Sequence, residues 1–162
     1  MSFIADIVYY SVLLILIIPA SVSDLRSGKV NNVYSILIAI AGITLTVFKF
    51  ITDKNVLVLL SAACGSFLGF AFTFIPALKG RMGGADVKIA AAVGLGFGIR
   101  GILLFLFVSF TAAVLYFLVK SVIDKIRKGS SLDLKKRLPL VPFMITGIIV
   151  CAVYSSYLNM IS

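Results

Sequence analysis

Six long apolar runs, parted by short polar stretches, organise the whole chain. The first occupies residues 3–22 and the second 33–51, with the polar stretch 23–32 between them. A third covers 56–78; Pro76 stands near its end, and Lys79, Gly80 and Arg81 interrupt the pattern beyond it. The fourth, 86–99, is short. Its apolar part begins only at Val87, leaving about 20 Å of helix at about 1.5 Å per residue, and Gly83, Gly84, Ala85 and Asp86 give it a polar start. The fifth covers 102–119. The sixth covers 139–158, with Pro139 and Pro142 in a first turn, where proline costs no helical hydrogen bond. A hydrocarbon core about 30 Å thick takes about 20 apolar residues to cross. The pattern therefore predicts an all-α integral membrane protein: a bundle of six transmembrane helices in one domain, 1–162. The remaining polar segment, 120–138, is predicted to be a loop.

Composition agrees with this reading. Apolar residues make up 61% of the chain and charged residues 13%, whereas a soluble domain carries about 25% charge. A water-soluble core of 162 residues cannot hide that much apolar surface. The basic residues then set an orientation. With six spans, one side of the membrane receives Arg26, Lys29, Lys79, Arg81, Lys88 and all the lysines and arginines of 120–138, while the other receives only Lys49, Lys54 and Arg100. Cytoplasmic loops near spans collect positive charge. The expectation is therefore a multi-pass membrane protein with both termini outside and the loop 120–138 in the cytoplasm. Anionic lipid headgroups account for the positive charge, so no nucleic-acid partner is called for. The first run lacks a basic leader and contains Asp6, which reads as a retained membrane helix rather than a cleaved signal.

The chemistry available is narrow. There is no histidine, which removes the commonest general base and metal ligand. Cys64 and Cys151 lie in apolar runs and read as small hydrophobes, making neither a disulfide framework nor a metal site. No cofactor or metal is expected. The acids are all aspartates: Asp6, Asp24, Asp53, Asp86, Asp124 and Asp133. Asp6 and Asp53 fall on the outer side, and Asp124 and Asp133 lie in the lysine-rich segment, where solvation or ion pairing suffices for them.

Asp24 and Asp86 stand apart by position. Asp24 ends the first run and Asp86 starts the fourth, and the predicted topology puts both at the cytoplasmic face. For Asp24 the plain alternative is a helix-capping carboxylate or a pair with nearby Arg26. Carboxylates at membrane depth are costly, so one at the edge of a span usually faces protein or water and has a role. Gly83 and Gly84 before Asp86 permit a sharp backbone turn or the close approach of another chain. Two aspartates beside one water can share a proton, one acting as base toward the water and the other as acid toward a carbonyl. That is aspartic protease chemistry, and it needs neither histidine nor metal.

Three stretches resemble the type IV prepilin peptidases and their preflagellin-cleaving relatives. Ser23, Asp24, Leu25, Arg26, Ser27, Gly28, Lys29, Val30, Asn31 and Asn32 are similar to the family's segment after the first helix. Met82, Gly83, Gly84, Ala85, Asp86, Val87 and Lys88 resemble its Gly-x-Gly-Asp motif followed by Val-Lys. Leu138, Pro139, Leu140, Val141, Pro142 and Phe143 resemble the proline-containing start of its final helix. Ala85 replaces the motif's second glycine and Asn31 its usual proline; Gly-Gly-Ala-Asp fits the preflagellin-type relatives. The resemblance implies an endopeptidase that removes a short basic leader from prepilin-like or preflagellin-like precursors at the cytoplasmic membrane face. Asp24 and Asp86 would be its catalytic pair, with Gly83, Gly84, Ala85, Lys88 and Arg26 as supporting motif residues. Larger relatives carry a four-cysteine insertion and methylate the new N-terminus; this chain has no counterpart to that insertion. Membrane lipid and a precursor protein are the expected partners, and a homo-oligomer is compatible with the sequence.

Gly65 and Gly69 in the third run, and Gly94 and Gly98 in the fourth, are each four apart, and Ala90, Ala91 and Ala92 make the fourth helix slender. Close packing within a bundle explains them. The rival function is a small ion-coupled transporter or channel in which Asp86, at a broken helix start, binds a cation or relays protons. A basic scaffold subunit without chemistry is the third reading. No internal repeat is visible, which weighs against transport.

Overall fold

A computed structural model describes residues 2–27, 30–80, 82–128 and 140–161, the side chains of 2–3, 25–27, 124–125, 127–128 and 159–161 excepted. Among the described residues the regular structure is entirely helical: α1 (Ser2–Ser27), α2 (Asn32–Asp53), α3 (Val56–Leu78), α4 (Gly84–Lys128) and α5 (Val141–Ile161). All five are long and apolar enough to cross a membrane. Their outer faces carry large exposed hydrophobics such as Ile15, Phe67 and Phe107, a surface that water would not tolerate and lipid would.

Local chemistry sets the helix ends. Asn31 caps α2 by accepting the Val33 N–H at 3.1 Å, and Asn55 caps α3 by accepting that of Leu57 at 2.9 Å, the role for which asparagine is favoured. Between them Lys54 takes a left-handed conformation and donates its N–H to the Phe50 carbonyl, so α2 and α3 form a hairpin joined by two residues. Asn31 has φ −66°, the value a proline ring would impose. Asparagine, where the resembling peptidases have proline, therefore leaves the backbone unstrained and supplies a cap.

Spans 86–99 and 102–119 were expected as separate helices; within the continuous stretch Gly84–Lys128 they are two helical arms that meet at a kink at Gly98 (φ 63°, ψ −169°), without a loop at 100–101. Only glycine occupies that region without strain, so the chain turns there without a loop. The groups that such a break tends to orphan have partners. Ile99 N–H donates to Ser61 Oγ at 3.2 Å, and Thr46 Oγ1 donates to the Leu95 carbonyl at 2.8 Å. Buried backbone in an apolar surround needs such partners.

Contacts along the two arms of α4 give their directions. On the first arm, Cβ atoms added at Gly65 and Gly69 of α3 would meet the backbone of Gly94 and Ala90 respectively, so α3 runs antiparallel to it. On the second arm, Tyr116 packs on Phe143 and Cys151 Sγ lies 3.8 Å from the Gly101 carbonyl, so α5 runs antiparallel to that arm. Because α5 begins beside Asp86, the second arm folds back toward the level from which the first arm started. The two small-residue stripes meet as the packing reading of Gly65, Gly69, Gly94 and Gly98 expected.

The first arm is the centre of the bundle, with Val87, Ile89, Ala90, Ala92 and Val93 buried, and α4 packs against α2, α3 and α5 while α1 packs against α2 and α5. The second arm also corrects the loop expected at 120–138. The helix continues to Lys128, because Val122, Ile123 and Ile126 among lysines are compatible with helix and no glycine or proline intervenes before Gly129. Residues 129–138, with Asp133, lie outside the described residues. Likewise α1 runs past 22 to Ser27 and α5 starts at Val141, with Pro142 in its first turn.

Candidate active site

One end of the bundle gathers the end of α1 and the starts of α2, α4 and α5. Asp86 lies in the first turn of α4, three residues after Gly83, which precedes the helix. There its side chain reaches back: Asp86 Oδ2 accepts the Gly83 N–H at 3.0 Å, while the Asp86 N–H donates to the Gly83 carbonyl. This is the reciprocal half of a capping box, and it places a carboxylate where the first free N–H groups of a helix favour negative charge. The residue is 2% exposed.

Asp24 approaches from the end of α1, half-buried and near enough for its charge to act on Asp86. The backbone amides of Leu140 and Val141, where α5 starts, act on Asp86 as well. A helix start offers free N–H groups, and Pro139 and Pro142 were the sequence signal for that start. The contribution itself comes from main chain, which a reading of side chains could not find.

The amides of Leu140 and Val141 stand near Asp86 but fall short of hydrogen-bond geometry, so each aspartate keeps one carboxylate oxygen buried and without a partner: Asp24 Oδ2 and Asp86 Oδ1. Buried polar atoms in folded proteins nearly always have partners, and each exception calls for an explanation. A proton held between the groups, a water or a substrate carbonyl would each supply one.

The remaining motif residues are placed unequally. Ala85 is half-buried and Gly84 exposed. A Cβ on Gly83 would stand 3.4 Å from Asp86 Oδ2, and one on Gly84 would meet nothing within 4 Å. The described residues with positive φ are Lys54, Gly80 and Gly98. Neither Gly83 nor Gly84 therefore uses a conformation reserved to glycine, and of the two alternatives, a sharp turn or the close approach of another chain, the open space at Gly84 is compatible with the second. Lys88 points away from Asp86 across the helix and donates to Asn32 Oδ1 at 3.0 Å, tying α4 to α2. The side chain of Arg26 lies outside the described residues.

At the opposite end, Asp6 pairs with Lys49 at 2.6 Å, which fits the modest role expected of it. No group of three or more potential metal ligands occurs among the described residues.

Residues 11–118 match the model of the type IV leader peptidase family. The chain belongs to that family. The match takes in Asp24 and the whole of 82–88, and stops short of the third resembling stretch, 138–143. Membership of the type IV leader peptidase family makes the chain a multi-pass membrane protease of prepilin-peptidase type. No curated protein and no solved structure matches the chain.

Proposed function

We propose that the protein is an aspartic endopeptidase in which Asp24 and Asp86 cut the leader from prepilin-like or preflagellin-like precursors. The observation that carries this reading is the convergence of two aspartates from distant parts of the chain on one end of the bundle, each with a buried, unpartnered carboxylate oxygen. The ionised member takes a proton from water as the water oxygen bonds to the scissile carbonyl carbon. The protonated member gives its proton to the carbonyl oxygen. Collapse of the tetrahedral adduct breaks the C–N bond, and a proton passes to the departing amine.

The two arms of α4 count as separate crossings in this reading, making six with both termini outside and the aspartates at the cytoplasmic face of a prokaryotic plasma membrane. The excess of basic residues on the aspartate side supports that orientation. A precursor with a short basic leader ahead of an apolar helix presents its junction at that face. The junction has to be extended, because bonds within a helix are shielded by their own hydrogen bonds, and a glycine before the cut favours that. Mass spectrometry of the products, with each aspartate changed to asparagine in turn, tests the reading. Cleavage at the leader junction, lost in both variants, is expected; a cut on the outer side of the apolar segment would refute it.

The transporter reading needs a broken helix at Asp86. The break instead lies at Gly98, about 18 Å further along the axis at about 1.5 Å per residue, and Asp86 sits in an ordered first turn.

A further inference from the structure

Between α2, α3 and the first arm of α4 runs a groove of about 490 Å³, walled in part by Ser35, Ala39, Ser66 and Ala91, with Asn32 and Lys88 at its Asp86 end. Its size falls within the range of about 300–1,000 Å³ typical of ligand sites. Two of its features call for an occupant. Ser35 is 7% exposed and its Oγ has no partner, although a serine in a helix can back-bond to its own chain as Thr46 and Thr73 do here. And Gly84, exposed with open space where a Cβ would stand, precedes Lys88 by four residues and so lies on the groove side of α4. A chain leaving Asp86 can cross the bare Gly84 backbone toward the groove, whose near end is spanned by the Lys88–Asn32 hydrogen bond that it would have to pass or displace.

We infer that this groove seats the first turns of the precursor's apolar helix, on the far side of the cut from the leader. The inference rests on the peptidase reading. A helix that begins just after an extended junction has N–H groups with no partner in its own chain, and in an apolar surround they need one. Rotation about χ1 of Ser35 offers its Oγ as that acceptor, and the small side chains of Ala39 and Ala91 leave room for a neighbouring helix. Large exposed side chains flank the groove, Ile36 at 57% and Phe70 at 42%. The groove therefore opens laterally toward lipid, the direction from which a membrane-embedded precursor arrives.

The test uses the full-length protein in liposomes and two substrates. One is a precursor with a short basic leader, a glycine junction and its apolar helix; the other is a soluble peptide across the junction without the helix. Ser35→Ala should raise KM for the precursor about threefold to tenfold with kcat unchanged, the loss of one hydrogen bond in ground and transition state alike. Ala39→Phe, which fills the groove, should cut precursor cleavage at least tenfold and leave peptide cleavage intact. Wild-type precursor kinetics in Ala39→Phe would overturn the inference and leave the groove to lipid, as would equal loss on both substrates in both variants. A photoreactive group in the first two turns of the precursor helix, bound to the uncleaving Asp86→Asn protein, provides a readout independent of catalysis. Cross-links at Ala39, Ser66 or Ala91 are expected, and cross-links confined to α1 or α5 would overturn the inference. If the wild type cuts neither substrate but those cross-links form, the peptidase reading fails while the groove assignment stands.

Discussion

Replacing Asp86 by asparagine separates its chemistry from its structural work, because the two use different atoms. Oδ2 holds the Gly83 N–H at 3.0 Å; the amide oxygen of asparagine can hold it equally. Loss of the charge at the helix start costs about 0.3–1 kcal/mol, and this is offset by no longer burying an ionised group that is 2% exposed. The net change in stability should stay within about 1 kcal/mol. Asp86→Ala is the contrast, since it leaves the half-buried Gly83 N–H without its acceptor at a cost of about 1 kcal/mol or more. Asparagine, however, cannot exchange the proton that the mechanism passes between the pair. A loss of at least about 10³-fold in kcat follows, which is about 4 kcal/mol of transition-state stabilisation. The assay pairs thermal unfolding of the purified protein in detergent with single-turnover cleavage of a precursor followed by mass spectrometry. Wild-type stability with no detectable cleavage is expected for Asp86→Asn, and lower stability with equally absent cleavage for Asp86→Ala. An Asp86→Asn protein that cleaves within tenfold of wild type would refute the role given to the pair.

Gly84→Leu should fold with wild-type stability, since nothing stands within 4 Å of the added Cβ, yet lose precursor cleavage, whereas Ala85→Gly should retain it; normal cleavage by Gly84→Leu would show that the open space is idle. Gly69→Leu should fail to insert or should unfold at much lower temperature, because its Cβ would be driven into the Ala90 carbonyl; a stable variant in the unfolding assay would contradict the packing of α3 on α4. Ser61→Ala removes the acceptor of the exposed Ile99 N–H and should cost about 0.5–1.5 kcal/mol, read as a lowered melting midpoint with hydrogen exchange accelerated around Gly98. Unchanged exchange there would mean that the bend does not depend on α3.

What could be read in advance was what depends on composition along the chain. Residues 33–51 and 56–78 reappear as α2 and α3 within a residue or two, because lipid-facing helices are apolar around their circumference and two asparagine caps mark where they start. The division of 86–119 into two helices is present, but two residues earlier than expected. Arg100 and Gly101 looked like a connection, yet the turn is made by Gly98, whose left-handed conformation is invisible among neighbouring glycines until the partners of Leu95 and Ile99 are known. Thr46 and Ser61 supply those partners from other helices, and nothing in their local sequence distinguishes them from any threonine or serine in an apolar run. Of the candidate site, the sequence could nominate Asp24 and Asp86 by their places at helix ends. It could not register Ser35, whose interest lies in what its hydroxyl lacks, or the amides of Leu140 and Val141, which belong to the main chain.

The two ends of the bundle treat their polar groups in opposite ways, and that contrast is the physical argument for where chemistry occurs. Around Gly98 the awkward groups are satisfied: Asp6 is neutralised by Lys49, Ile99 N–H by Ser61 and the Leu95 carbonyl by Thr46. At the other end Asp24 Oδ2, Asp86 Oδ1 and Ser35 Oγ are buried without partners, each at a cost of about 1–3 kcal/mol; the fourth such atom among the described residues, Ser109 Oγ, lies within the second arm of α4. Aliphatic side chains at these positions would remove that cost, as replacements of buried polar groups often do. A chain that satisfies its polar groups even at a helix break, and leaves three of the four unpartnered buried side-chain oxygens among the described residues on two converging aspartates and a nearby serine, places most of that local cost at one end. Such departures from local consistency are where function is expected. The unpartnered oxygens are then best understood as half of an interaction, the other half being the water and the peptide bond that the proposed reaction brings together.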